Sequence, residues 1–146
     1  MKLVVQRSLN SSVSVNNKIV GEINHGYVVL VGFNVDDSVS DIDYLINKLI
    51  NLRIFEDREG KMNLSIKDVG GSILSISQFT LYADVRNGNR PSFTEAMAFD
   101  KAKILYDIWN HKLKEKNINV ETGIFGSDMT VNITNDGPVT IILESR

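Results

Sequence analysis

The 146-residue chain contains no cysteine. That excludes disulfides, a thiolate nucleophile and Cys-ligated zinc, and it fits a cytoplasmic protein. Histidine is nearly as scarce. His25 and His111 are the only two, so one chain cannot assemble a multi-His metal site, and neither a metal nor a cofactor is expected. No charge of one sign dominates: 16 Lys and Arg stand against 18 Asp and Glu, a net −2. A nucleic-acid partner would have to be met by a local basic patch rather than by a global field. There is no apolar run of the roughly 18 residues that a transmembrane helix needs. The first residues, Met1-Lys2-Leu3-Val4-Val5-Gln6-Arg7, lack the apolar core of a signal peptide. Internal repeats, low-complexity segments, linkers and a glycine-rich phosphate loop are also missing. What remains is ordinary for one globular domain spanning 1–146: 42% hydrophobic and 23% charged residues, enough to bury a core.

Residues 2–9 alternate as a strand does. Arg7 within it reads as a solvated residue or an ion-pair partner. Asn16-Asn17, flanked by Val13, Val15 and Ile19-Val20, predicts a two-residue hairpin. His25 falls in a turn. Gly26 opens Tyr27-Val28-Val29-Leu30-Val31-Gly32-Phe33, a continuous apolar run typical of a strand buried on both faces. Ser38 or Ser40 caps a helix with Asp41 and Asp43 in its first turn and a stripe of Ile42, Leu45, Ile46, Leu49 and Ile50. A polar turn follows, and residues 62–70 read as irregular. Gly70-Gly71 begins a strand that runs through Ile73-Leu74-Ser75-Ile76 and carries Ser77 to Leu81.

The next loop, 84–91, holds Arg86 and Arg90. Ser92 and Glu95 have the spacing of a capping box, which predicts that the second helix opens there. Ala98, Ala102, Leu105, Tyr106, Trp109 and Leu113 form its buried stripe, with five lysines, at 101, 103, 112, 114 and 116, on its other faces. Met129, Val131 and Ile133 alternate as a strand, 135–138 reads as a turn, and Val139 to Leu143 as the closing strand. Together these elements predict an α+β fold, a mostly antiparallel, curled sheet with two amphipathic helices.

The usual side-chain kit for hydrolysis is thin. A Ser-His-Asp triad would need one of two histidines that fall in no motif. Hydroxyls gather at Ser75, Ser77 and Thr80, with Thr140 far along the chain. Thr80 as a nucleophile would need an adjacent base, and none is visible. Gly137-Pro138 is the second singular feature; composition alone reads it as a turn with Pro opening the return strand.

Six pieces in order carry a resemblance: Val4-Val5-Gln6-Arg7, Asn51-Leu52-Arg53-Ile54-Phe55, Ser77-Gln78-Phe79-Thr80-Leu81, Gly88-Asn89-Arg90-Pro91, Gly123-x-Phe125-Gly126-x-x-Met129 and Asn135-Asp136-Gly137-Pro138-Val139-Thr140. In them the chain resembles the D-aminoacyl-tRNA deacylases, which hydrolyse the ester between a D-amino acid and its tRNA. The resemblance implies a homodimer with the site at the subunit interface, acting on aminoacyl-tRNA without metal or membrane. It implies a cis Gly137-Pro138 bond entering the neighbouring subunit's pocket, held in orientation by Arg7. Ser77, Gln78, Phe79 and Thr80 would line the pocket and do the chemistry, with backbone N–H groups around Gln78 to Thr80 as oxyanion donors. Phe125 and Met129, with Ala102, would receive the terminal adenosine, whose 2′-hydroxyl stands in for the missing side-chain base. A pocket that senses Cα rather than a side chain would also admit glycine mischarged on tRNA-Ala. Two other readings stay open: an editing domain like those of some archaeal threonyl-tRNA synthetases, against which a chain ending at Arg146 with no synthetase attached would count, and a non-enzymatic RNA-binding module using Arg86, Arg90 and the helix lysines.

Overall fold

The computed structural model describes residues 1–145. In chain order its strands are β1 (Lys2–Ser8), β2 (Ser11–Val15), β3 (Lys18–Ile23) and β4 (Gly26–Gly32). Helix α1 (Val39–Ile50), β5 (Phe55–Glu56), β6 (Met62–Leu64) and β7 (Ser72–Ser77) follow. Then come a 3₁₀ turn (Phe79–Tyr82), α2 (Phe99–Glu115), β8 (Asn119–Thr122), β9 (Thr130–Asn132) and β10 (Asn135–Glu144). The main sheet has the order β10-β1-β4-β7-β8, and a smaller one β3-β2-β9. β1 runs antiparallel to both β10 and β4, while β4, β7 and β8 are parallel neighbours. The parallel half follows from connectivity. A helix lies between β4 and β7, and another between β7 and β8, and parallel neighbours need such crossovers. No helix among the described residues is long and apolar enough to cross a membrane.

The unbroken apolar run of β4 has a direct cause. Tyr27, Val29 and Val31 face one cluster with the α1 stripe and Trp109, whereas Val28 joins Val13, Ile23, Leu74 and Ile76 in a second. Strand side chains alternate between faces, so β4 is covered by helices on one side and by the small sheet on the other. The helical layer is anchored on β7. The Tyr106 hydroxyl donates to the Ser75 carbonyl at 2.7 Å, and the Trp109 indole N–H donates to Ser75 Oγ at 3.1 Å. Trp109 is therefore core. Leu49, fully buried in the α1 stripe, should lose about 2–5 kcal/mol on Leu49→Ala, the usual range for such a cavity; urea unfolding checks this through a lower midpoint at unchanged slope.

Asn16 and Asn17 both have positive φ, 49° and 62°, as the two-residue hairpin requires. Ser38 caps α1, and its backbone N–H donates to the Asp41 carboxylate at 2.9 Å. Four sequence expectations need correction. Residues 62–70 are not wholly irregular, since β6 pairs with β5. The strand after Gly70-Gly71 spans Ser72–Ser77 and stops short of Leu81, because the chain turns into the 3₁₀ segment. The second helix does not open at Ser92. The Ser92 backbone exchanges hydrogen bonds with Asp84 at 2.8 Å each, and the Glu95 carbonyl accepts from Val35 N–H at 3.0 Å. With that backbone engaged elsewhere, α2 starts only at Phe99. Finally, 135–138 is not a hairpin turn: β9 pairs with β2, and β10 with β1.

Candidate active site

β7 delivers Ser77 beside Val31 of β4. The Gln78 N–H then donates to the Val31 carbonyl at 2.8 Å and fixes where the strand turns. That bond takes Gln78 N–H out of the expected set of oxyanion donors. Phe79 and Thr80 open the 3₁₀ turn, where an N–H has no carbonyl of the same turn to reach, so theirs are the two that remain. The Gln78 side-chain amide donates to Thr80 Oγ1. Thr80 itself is exposed.

Beneath this turn lies a cavity of about 540 Å³. Ser77, Gln78, Phe79, Ala102, Phe125 and Met129 all line it, so six of the ten residues singled out from the sequence meet in one place. Thr80, Arg7, Gly137 and Pro138 are not among its lining residues. The wall is aromatic: the Phe125 ring meets Phe99 edge-on at 5.1 Å and Tyr106 at 5.6 Å. Two glycines of the Gly-x-Phe-Gly-x-x-Met stretch are explained by close approach. A Cβ on Gly123 would lie 2.3 Å from Met129 Sδ, and one on Gly126, whose φ is +78°, would lie 2.7 Å from the Phe99 ring. Among the described residues no histidine lines the cavity, and Asp128 is its one ionisable lining residue.

Arg7, Gly137 and Pro138 form a separate assembly. Arg7 is only 6% exposed. Its Nη1 donates to the Ile54 carbonyl at 2.8 Å and its Nε to the Asp136 carbonyl at 3.2 Å. It also pairs with the Asp136 carboxylate at 3.2 Å and more loosely with Glu56 at 3.8 Å. Opposite it, β10 bulges. Asn135 aligns with Ser8 and Thr140 with Gln6, so residues 136–139 stand against Arg7 alone. Asn135 closes the bulge from within. Its Nδ2 donates to Thr140 Oγ1 at 2.9 Å, and its Oδ1 accepts from Val139 N–H at 3.0 Å. At the tip, the Gly137-Pro138 bond is cis and both residues are exposed. Gly137 has φ +127°, and a Cβ there would sit 2.8 Å from Val139 Cγ2.

The sheet register separates the two assemblies. Ser77 shares a row with Val31 and Leu3, while the bulge shares one with Arg7. Four residue steps along the strands and three strand spacings across the sheet lie between them. At about 3.4 Å per residue and 4.8 Å per strand, that is roughly 20 Å.

The loop arginines differ from each other. Arg86 forks onto Asp84 at 2.9 and 2.8 Å; its hydrogen bonds hold the Asp84 carboxyl down at about 2. Arg90 is exposed. Sequence reasoning missed Phe99 and Met97 in the cavity wall and the Ile54 carbonyl under Arg7. Phe99 carried one signal, an aromatic outside the buried stripe of the second helix, but nothing local said what it faced.

The same architecture occurs in solved proteins. A structure titled "c-Myc DNA Unwinding Element Binding Protein" superposes with a TM-score of 0.94 at 39% identity, over 100% of this chain and 99% of that one. One titled as a "probable eukaryotic D-amino acid tRNA deacylase" shares the fold at TM-score 0.82 and 20% identity, over 98% of each chain. In sequence, a D-aminoacyl-tRNA deacylase of Clostridium perfringens (strain SM101 / Type A) is 55% identical over 146 residues, 100% of this chain and 98% of the relative. The protein of the same name from strain 13 / Type A matches equally. The family described as D-Tyr-tRNA(Tyr) deacylase matches residues 4–144. The chain belongs to that family, and with it to the hydrolases that act on D-aminoacyl-tRNA.

Proposed function

We propose that the chain works as a two-fold homodimer in the cytoplasm, in which the Gly137-Pro138 tip of one subunit completes the cavity of the other. The observation that carries this reading is the separation of about 20 Å between the two assemblies in one chain, derived from the strand register. Each assembly presents exposed residues, Phe79 and Thr80 in one and Gly137 and Pro138 in the other. A second copy related by a two-fold axis supplies the missing half of both sites at once.

In this reading the terminal adenosine enters between Phe125 and Met129, over Ala102, and the aminoacyl ester reaches Ser77 to Thr80. The developing oxyanion meets the N–H groups of Phe79 and Thr80, donors fixed before the reaction starts. The proton is managed by the 2′-hydroxyl of the adenosine rather than by a side chain. The partner's Gly137-Pro138 carbonyls fill the space an L side chain would need, so D-aminoacyl esters fit and L esters clash. Glycine has no side chain to clash, which makes glycyl-tRNA mischarged on tRNA-Ala a second substrate. Sedimentation at micromolar concentration tests the assembly: a dimer is expected, and a monomer with full specific activity would refute the reading.

Thr80 is not a covalent nucleophile in this scheme. Thr80→Ala should stay within about tenfold of the parent, because removing a true nucleophile can cost on the order of 10⁶ in rate. Single-turnover deacylation measures it, and an acyl-threonine adduct in the mass spectrum would overturn it. Binding of tRNA is electrostatic and local, through Arg90 and the α2 lysines. Affinity should fall by about 0.7–0.9 log units per phosphate contact for each log unit of salt; a flat salt dependence contradicts it.

A further inference from the structure

The stretch Asn51-Leu52-Arg53-Ile54-Phe55 takes no part in the cavity wall, yet its Ile54 carbonyl accepts the shortest hydrogen bond that Arg7 makes, 2.8 Å from Nη1. The same guanidinium reaches the tip: a Cβ on Gly137 would lie 3.2 Å from Arg7 Nη2. Whatever fixes the Ile54 carbonyl therefore fixes Arg7 against residues 136–139. Tyr27 does this from β4. It is the cross-strand partner of Arg7, so the two side chains share one face of the sheet. Tyr27 is fully buried and holds the stretch on both sides of Ile54. Its hydroxyl donates to the Leu52 carbonyl at 3.2 Å. Its ring stacks on Phe55, with centroids 5.1 Å apart and 20° between the planes. Burial pushes the phenol above its ordinary range even with the Arg7 charge nearby, so at neutral pH it keeps the proton that it donates. The hairpin beyond adds a further tie, since Arg53 Nε donates to the Asn63 carbonyl at 2.8 Å. A strand position buried on both faces needs only apolar bulk. A phenol aimed at a carbonyl two residues before Ile54 adds direction to that bulk.

We propose that Tyr27 is a positioning residue for chiral discrimination: it sets the stretch 52–55, the Ile54 carbonyl sets Arg7, and Arg7 sets the Gly137-Pro138 tip. The inference rests on the reading above, in which that tip excludes L esters from the partner's cavity. Tyr27 itself touches no substrate. Val31, the neighbour of Ser77, lies four residues further along β4, so Tyr27 acts on the reaction only through the chain of contacts to the tip.

Two readouts on the full-length protein test this. One is the ratio of deacylation rates for D-tyrosyl- and L-tyrosyl-tRNA. The other needs no tRNA: amide exchange at Val139, whose N–H donates to Asn135 Oδ1 inside the bulge. Tyr27→Phe keeps the ring and removes the hydroxyl. It should lower the D:L ratio about tenfold, the effect of a tip displaced by a fraction of an ångström, and speed Val139 exchange severalfold. Phe55→Leu keeps the space filled and removes the stack, and should act in the same direction. Leu113→Ala opens a cavity under α2, where Leu113 is fully buried, so it should lower stability and leave the ratio as it was. An unchanged D:L ratio in Tyr27→Phe overturns the proposal, as does an equal fall in Leu113→Ala. If the parent discriminates and neither readout moves in Tyr27→Phe, the positioning role fails and the reading of the tip as a filter stands. If the parent hydrolyses both esters alike, that reading fails, and Val139 exchange alone decides whether Tyr27 positions the tip.

Discussion

Arg7→Ala should cost about 3 kcal/mol of stability and at least about 100-fold in deacylation rate. Truncation leaves the Ile54 and Asp136 carbonyls without their donor and the Asp136 carboxylate without its cation. Removing one partner of a buried pair typically costs about 3–5 kcal/mol. Asp136 and Glu56 are partly open to water, which pulls the figure to the low end. The rate effect has a separate cause. Arg7 is the brace of the bulge, and a misplacement of about 1 Å in a positioning element can cost on the order of 100-fold. Arg7→Lys keeps the charge but cannot reproduce the fork, so it should recover part of the stability and little of the rate. Denaturant unfolding and single-turnover deacylation separate the two. A variant destabilised but fully active would mean that Arg7 only holds the fold.

Ile142→Asp should dissociate the proposed dimer and lower activity by about 1,000-fold or more. The helices cover one face of the main sheet, and the small sheet covers only part of the other. On that second face Ile142, Val4 and Leu30 stand in one row across β10, β1 and β4, and Ile142 is 63% exposed. β10 is also an edge strand, and edges of this length are commonly covered in native proteins. A carboxylate in the middle of such a row, buried against a second copy, would be unpaired and costly. In a monomer the same residue is solvated, so the fold should survive. Sedimentation combined with the deacylation assay checks this: a folded, inactive monomer is expected, and a dimer of unchanged activity would move the interface elsewhere on the molecule.

Where the sequence could be read, the physics was local. The apolar run of β4 and the stripe of α1 are each set by neighbouring residues, and both elements form where the patterns predict. Asn16-Asn17 likewise carries its own turn geometry. The failures share the opposite feature. The Ser92 and Glu95 spacing is a valid capping box, but distant backbone partners at Asp84 and Val35 claim the segment first. Turn formers at 135–138 look the same in a hairpin and in a bulge; only pairing with β1, far away in sequence, distinguishes them. The candidate site divides in the same way. Ser77 to Phe79, Ala102, Phe125 and Met129 do converge on one cavity, but on the strength of a family resemblance, since main-chain donors and close-approach glycines leave little trace in composition. Phe99 depends on packing between α2 and the segment after β8, where it meets Phe125 and Gly126, and no local pattern encodes that.

A site that two subunits share should hydrolyse D-aminoacyl esters selectively. One tRNA charged in parallel with D-tyrosine and with L-tyrosine, incubated with the protein at micromolar concentration, measures it directly. Rapid release of D-tyrosine with the L-ester left intact is the predicted result, and each 1.4 kcal/mol of clash should add a further factor of ten to the difference. Release of both at the same rate, or of neither, would contradict the account.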